Sequence, residues 1–288
     1  MSTHKFDGST YKAGQKVQWD AIAEAWWKWW PEIERGAQVA SNALADAIGA
    51  APGQRILDAS TGIGEPAVTL SKRVGADGSI LATDQSAGML AVARERIVSE
   101  GLSNIELVQV DTEVLDLPEN ESDGAVCRWG LMFLPDVQAG LQAIRRSLKP
   151  GAKFATTVWG TPPQTPMFSF PMAVARKIMD PAPPRPPADA PNFFLLGAPG
   201  FLHSAFRAAG FKYVEGSDLQ IYFDLDSPQT FADFLGDIAP GVQAILSGRP
   251  TSEVEKFWNT VVTKVEEFVD ENGTFKIPGT APIAVGTK

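Results

Sequence analysis

The sequence predicts an α/β protein: a doubly wound sheet, mostly parallel with an antiparallel final strand, covered by helical and proline-rich lids. Three observations predict it. Beyond Pro52-Gly53, short apolar runs alternate with helical segments, which is the signature of βαβ units. One of those runs, Ile56-Leu57-Asp58, passes into a glycine loop, Ser60 to Gly64, that opens a helix. The chain then closes on a strand-like segment, Gly273 to Lys288, after a long helical stretch.

Taken in order, Val17 to Trp30 places Trp19, Ile22, Trp26 and Trp29 or Trp30 at three- and four-residue steps, on one side of a helix that Trp27 widens. Pro31 suits the first position of a second helix, with Glu32 and Glu34 near the positive end of its dipole, running to about Ile48 before Gly49. Residues 1–50 thus read as an N-terminal helical lid and 51–288 as the core. Strands are expected at Arg55 to Asp58, Ser79 to Thr83, Ile105 to Val110, Gly124 to Arg128 and Lys153 to Val158, each an apolar run of the kind buried on both faces. Helices lie between them from about Glu65 to Val74, Ser86 to Glu100 and Asp136 to Leu148, the last closed by Lys149-Pro150-Gly151.

Thr161 to Pro191 carries so many prolines that neither a helix nor a central strand is expected through most of it, and it reads as a cap inserted at about 160–198. A short helix at about Phe201 to Ala209 and a long strand from Tyr213 to Phe223 resume the fold. Helical text from Pro228 to Val269 forms a second cap, at about 226–272, and the final segment pairs antiparallel with the Tyr213 strand at the sheet edge.

Composition narrows the function. With 288 residues, 44% of them hydrophobic and 20% charged, the chain has the makings of a packed core. Its net charge of -9, with no run of Lys and Arg, sets a repulsive field against a phosphate backbone, so nucleic acid is not an expected partner. A single cysteine, Cys127, forms no internal disulfide, and with only His4 and His203 the spacing suits no zinc site, so no metal is expected. Met1 to Gln18 is polar, without the apolar stretch of a secretory signal, and no apolar run approaches the roughly 20 residues of a membrane span. A cytoplasmic protein is expected, its oligomeric state left open.

The residues that carry chemistry begin with Ile56-Leu57-Asp58-Ala59-Ser60-Thr61-Gly62-Ile63-Gly64-Glu65. Gly62 and Gly64 lack a Cβ, so the loop turns sharply and admits a ligand to its backbone, and the helix start offers unpaired N–H groups. Gly62, Gly64 and Ala67 also satisfy the G-x-G-x-x-A dinucleotide fingerprint, which leaves an NAD(P)-dependent oxidoreductase as the alternative. Asp58 suits an α-ammonium and is unfavourable beside a pyrophosphate, while Pro66 removes an N–H that a pyrophosphate needs. A plain turn between strand and helix is the bland reading. Asp84, about 20 residues beyond the glycines, is placed to accept from both ribose hydroxyls, or simply to cap the next helix, as Ser86 also does. Asp111, past the third strand, is placed to accept from an adenine amine, or is a turn carboxylate.

Together these residues resemble the class I S-adenosylmethionine-dependent methyltransferases, a Rossmann-like group, and most closely the branch that includes the ubiquinone/menaquinone-biosynthesis C-methyltransferases. The resemblance spans about Ala51 to Val158. Leu57 to Gly64 matches the first motif, Ala82-Thr83-Asp84 the ribose-binding acid, Asp111-Thr112-Glu113 the adenine-side acid, and Leu148-Lys149-Pro150-Gly151 the signature after the helix. Arg128-Trp129-Gly130 lies where the fourth strand meets the methyl donor. Ser60 departs from the pattern, standing where the first glycine of D-x-G-x-G-x-G is usual.

The resemblance implies seven strands with an antiparallel last one, and S-adenosyl-L-methionine as cofactor. It implies cofactor contacts at Asp58, Ser60, Thr61, Gly62, Gly64, Asp84, Gln85, Met89, Asp111, Thr112, Glu113 and Arg128. A catalytically inactive cofactor-binding module shares these motifs, so turnover does not follow from them alone. Aromatic walls suit a small, partly apolar or aromatic acceptor, with Trp26, Trp30, Trp129, Phe133 and Trp159 as candidate contacts, though tryptophans on a helix are also ordinary core packing. The resemblance favours carbon or oxygen over nitrogen as methyl acceptor. A sulfonium methyl needs alignment and exclusion of water more than a strong base, and His203, Arg128 and Tyr222 are the candidate polar groups, with Tyr11 beside them.

Overall fold

Apolar strand text settles at the centre of the sheet: β1 (Arg55–Ala59) lies between β2 (Ser79–Asp84) and β4 (Ser122–Arg128), both parallel to it. The computed structural model describes residues 6–184, 187 and 190–288, so His4 lies outside the described residues. Beyond β2 runs β3 (Ile105–Gln109), and beyond β4 runs β5 (Leu148–Thr157). The order is completed by β7 (Phe275–Thr287) and, at the edge, β6 (Lys212–Leu225), giving β3-β2-β1-β4-β5-β7-β6. The final strand is antiparallel to both neighbours, β5 and β6, so it enters between them and leaves the Tyr213 strand as the edge.

Strand periodicity sorts the core into two faces. Ile56, Ile80, Val126 and Ala155 meet Leu44, Ala45 and Ile48 of α2 (Trp30–Ile48) and Leu70 and Val74 of α3 (Ala67–Val74). Leu57, Leu81, Cys127 and Phe154 face the other way, onto Leu141 and Ile144 of α5 (Val137–Ser147) and Phe206 of α7 (Phe201–Ala208). The rings of Phe154 and Phe206 stack with centroids 5.2 Å apart. Helix α4 (Ala87–Ser99) packs over β2 and β3 and carries α1 (Gly8–Lys28) on its outer side.

Four elements differ from the sequence reading. Helix α1 starts at Gly8, well before Val17, because the Asp7 carboxylate accepts from the Ser9 amide at 3.0 Å and caps it. It ends at Lys28, so the tryptophans are divided: Trp29 is the junction and Trp30 opens α2. The expectation of no helix through the proline stretch fails at α6 (Pro166–Ile178), where Pro166 occupies a first-turn position that needs no N–H and only Pro171 interrupts the ladder. Strand β3 is half-exposed at the sheet edge, where it was expected to be buried on both faces. The second cap comprises α8 (Pro228–Ile238), α9 (Pro240–Leu246) and α10 (Thr251–Val265). Among the described residues no helix is long and apolar enough to cross a membrane.

The Phe154 to Phe206 stack ties α7 to the sheet. Phe206→Ala is expected to lower the unfolding free energy by about 3–5 kcal/mol, read from urea denaturation.

Candidate functional site

Strand β1 ends by turning away sharply. Ser60 sits in the left-handed region at φ 59°, followed by Gly62 at 57° and Gly64 at 99°, and the loop is tied down where the Thr61 amide donates to the Thr83 carbonyl at 2.8 Å. The usual glycine at the Ser60 position is thereby explained: serine pays the left-handed strain of a residue with a Cβ. Its hydroxyl lies 3.1 Å from that of Thr112, which helps to hold it.

Asp58, wholly buried at the end of β1, accepts from the Thr61 hydroxyl at 2.6 Å through one oxygen, while the other, Oδ1, has no partner. Burial pushes its carboxyl up to about 7, against the opposing pull of Thr61 and of Arg128. Asp84, at the end of β2, accepts from the Gly62 amide and from the Ser86 amide, each at 2.9 Å. Burial raises its pKa in spite of those amides. Gln85 follows it with its carbonyl accepting from Gln109, and Met89 is buried one turn into α4 among Ile22, Ala23, Ile63 and Val92.

Helix α1 lies over this edge. Asp20 takes the Ser86 hydroxyl at 2.6 Å and the Gly88 amide at 2.9 Å, capping α4 from outside, and Lys16 pairs with its other oxygen at 2.8 Å. Gly88 permits this approach, since a Cβ there lies 2.9 Å from the Asp20 carbonyl oxygen. Lys12 reaches Asp111 at 2.7 Å and also pairs with Glu113. Burial opposes its charge, yet the two carboxylates hold the ammonium above its usual value. Asp111 also accepts from the Glu113 amide at 2.9 Å, which shapes a short 3-10 turn (Thr112–Val114) with Thr112 buried.

At the end of β4, Arg128 is committed to structure: its guanidinium donates to Glu34 at 3.0 Å and to Ser41 at 2.9 Å, both on α2. Trp129 follows in the left-handed region at φ 58°, stacked on Trp159 at 4.5 Å, with its indole nitrogen buried and unpaired. From there ring contacts run through Phe168, Phe193 and Phe133 to Trp19 on α1, with successive centroids 5.2–5.6 Å apart. These rings come from α1, the turns just after β4 and β5, and the first cap, and they form one wall.

The structure therefore gathers Asp58, Ser60, Thr61, Gly62, Gly64, Asp84, Thr112 and Arg128 round the carboxyl ends of the central strands, and links Asp111 and Glu113 to α1. It does not gather all the candidates. His203 sits on α7 against Gly216 of β6, four strands from β1 in the sheet order, and Tyr222 is half-exposed on the same edge strand. The Trp30 ring lies over the Arg96 guanidinium at 3.9 Å, and the Trp26 indole donates to the Ile238 carbonyl at 3.3 Å. Sequence reasoning missed Lys12, Gln15, Asp20 and Glu34. The first three share α1 with Trp19, and the Asp7-Gly8-Ser9 cap was the signal for that longer helix.

A sequence profile of the ubiE/COQ5 methyltransferase family matches residues 38–182. The ubiquinone/menaquinone biosynthesis C-methyltransferase UbiE of Stenotrophomonas maltophilia is 40% identical over 103 residues, 35% of this chain and 41% of that one. Its counterpart in Coxiella burnetii is 36% identical over 116 residues, 40% of this chain and 46% of that one. The matched part thus spans less than half the length of either relative. In three dimensions the chain resembles the YcgJ protein of Bacillus subtilis, with TM-score 0.56 and 14% identity over 87% of this chain and 98% of that one. It also resembles phosphoethanolamine N-methyltransferase 2 of Haemonchus contortus, solved with S-adenosylhomocysteine, with TM-score 0.54 and 20% identity over 86% of this chain and 52% of that one. Those likenesses establish a Rossmann-like fold.

Because native Asp58 keeps its proton up to about 7 while an unfolded aspartate releases it near 3.8, the folded state holds the extra proton between those values. Its contribution to stability is present below the lower value and is lost as pH rises through the upper, by at most about 4 kcal/mol. Asp58→Asn is expected to flatten this component, as read from urea midpoints across that pH range.

Proposed function

Since the chain belongs to the ubiE/COQ5 methyltransferase family, we propose that it is an S-adenosylmethionine-dependent methyltransferase that methylates carbon in a small, planar, partly apolar acceptor. The observation that carries the reading is the Asp58 carboxylate, wholly buried beside the glycine loop with one oxygen unpaired. Such an oxygen is costly to bury and is relieved by a cationic donor, which the α-ammonium of a methionyl group is and a pyrophosphate is not. Thr83 and Thr157, whose hydroxyls are likewise buried without partners, end β2 and β5 on the same edge.

The residues divide the binding among them. Asp58 would hold the methionyl ammonium, Asp84 the ribose hydroxyls and Asp111 the adenine side. Each carboxylate oxygen that already accepts an amide keeps a second acceptor position, so Asp84 serves loop and ribose together. When bound, S-adenosylmethionine supplies an electrophilic methyl on a sulfonium. The chain's own work is to align the acceptor and keep water out, which suits a wall of stacked rings. Trp129 and Trp159 present a flat surface, and the unpaired indole N–H of Trp129 would donate to an oxygen on the acceptor ring. Arg128 is held by Glu34 and Ser41 and positions the end of β4. His203 is assigned no proton transfer, given its place at the far edge of the sheet, against β6.

The names of the UbiE relatives place them in quinone biosynthesis as C-methyltransferases. Methylation at carbon of a planar acceptor fits the ring wall and the indole donor.

Two measurements test the reading. In calorimetry S-adenosylmethionine and S-adenosylhomocysteine are expected to bind and NAD is not. At about pH 6 the ammonium lowers the Asp58 pKa from about 7 and binding releases a proton, so the heat depends on the ionisation enthalpy of the buffer. Binding of NAD alone overturns the assignment. Asp84→Ala is expected to weaken the cofactor by about tenfold or more, the loss of a charged hydrogen bond, and an affinity unchanged within about threefold removes Asp84 from the ribose.

A further inference from the structure

We propose that Gln15 of α1 is a cofactor-binding residue, its amide oxygen accepting a hydrogen bond from the exocyclic amine of the cofactor's adenine; this rests on the methyltransferase reading above. Helix α1 is pinned over the carboxyl edge of the sheet at two points. Lys12 holds Asp111 and Glu113, and Asp20 caps α4 through Ser86 and Gly88. Gln15 lies between the pins, three residues from Lys12 and four from Trp19, hence on the same helix face. Trp19 meets Phe133 at 5.2 Å, so that face looks onto the space between the Asp111 turn and the aromatic wall.

The side chain is half used. The Gln15 amide nitrogen donates to Gln18 at 3.2 Å, whereas its oxygen is buried with no partner. A buried amide oxygen left unpaired is unfavourable, and the defect is removed by any donor brought to it. Of the six buried side-chain polar atoms without partners among the described residues, four lie on or just beyond the last residues of β1, β2, β4 and β5: Asp58 Oδ1, Thr83 Oγ1, Trp129 Nε1 and Thr157 Oγ1. The Gln15 oxygen belongs to α1, the helix pinned over that edge.

An adenine amine has two N–H groups. Asp111, whose oxygens already accept from Lys12 and from the Glu113 amide, retains acceptor capacity for one. The other needs an acceptor on a different element, and the Gln15 oxygen, one turn along α1 from the lysine that grips Asp111, is that acceptor. A purine with a carbonyl oxygen at C6 in place of the amine would set two acceptors against a third, so the pair reads adenine specifically.

The test compares S-adenosylhomocysteine with its analogue carrying hydrogen in place of the amine at purine C6, by calorimetry on the full chain. The wild type is expected to prefer the adenine compound. Gln15→Met is expected to cut that preference by about fivefold while leaving the affinity for the analogue unchanged, which also shows that the variant is folded. A preference that stays the same in Gln15→Met, or an equal weakening of both ligands, overturns the proposal. If the wild type binds neither compound, the methyltransferase reading falls with it, an outcome distinct from a wild type that binds both and a variant that behaves identically.

Discussion

Burying the Asp58 carboxylate with the Thr61 hydroxyl as its side-chain hydrogen-bond partner and the Ala67 amide nearby costs a protein several kcal/mol when the group is charged, and the surroundings of β1 are arranged to meet that cost. Part of it is met by holding the proton, with the pKa raised to about 7. Part is met by Arg128, whose positive charge counters it from the end of the neighbouring strand. Arg128 is in turn kept in place by Glu34 and Ser41 of α2, so the helix before the first strand takes part in the electrostatics of the loop after it. The thiol of Cys127, also buried on β4, is pushed up to about 12, first by burial and then by Asp58, which leaves it a core atom without nucleophilic character.

The same strand ends carry backbone strain. Ser60 after β1 and Trp129 after β4 both adopt positive φ, and the two turns touch: a Cβ on Gly130 would fall 2.5 Å from that of Ser60 and 2.7 Å from the Cys127 sulfur. Non-glycine residues in this region cost about 1–3 kcal/mol each and persist only where neighbours over-determine them. Gly130, itself at an ordinary φ of -91°, has no Cβ and so supplies the space that Ser60 needs. The departure from the family motif is thus accommodated in three dimensions by a residue about 70 positions away.

That accommodation shows what a sequence discloses and what it conceals. The strands, the glycine loop and the acids at 58, 84 and 111 were legible because each is a local pattern: an apolar run, a turn, a carboxylate at a fixed offset. The start of α1 was missed because a polar helix beyond the tryptophan stripe has little periodicity, and its cap at Asp7 rests on a single side chain. Helix α6 was missed because proline was weighed by number, whereas position in the turn decides its effect. The Lys12 to Asp111 and Arg128 to Glu34 pairs span 99 and 94 residues, and no pattern within one segment signals a partner at that distance.

Helix α1 joins both caps to the loops after β2 and β3. On its inner face Lys12 and Asp20 grip the loops after β3 and β2. At its far end Lys28 pairs with Asp237 at 2.7 Å, the Trp29 indole donates to the same carboxylate at 2.8 Å, and Trp26 reaches the Ile238 carbonyl, all on α8 of the second cap. Through Trp19 and Phe133 it meets the first cap at Phe193. Both caps are therefore fastened to one helix, and that helix is fastened to the loops after β2 and β3. Substrate choice in open α/β folds resides in such grafted segments, and here they share their anchor with the loops at the carboxyl ends of β2 and β3. A change in either cap that shifts α1 moves Lys12 and Asp20 as well, so the caps and the loops after β2 and β3 are mechanically linked through one helix.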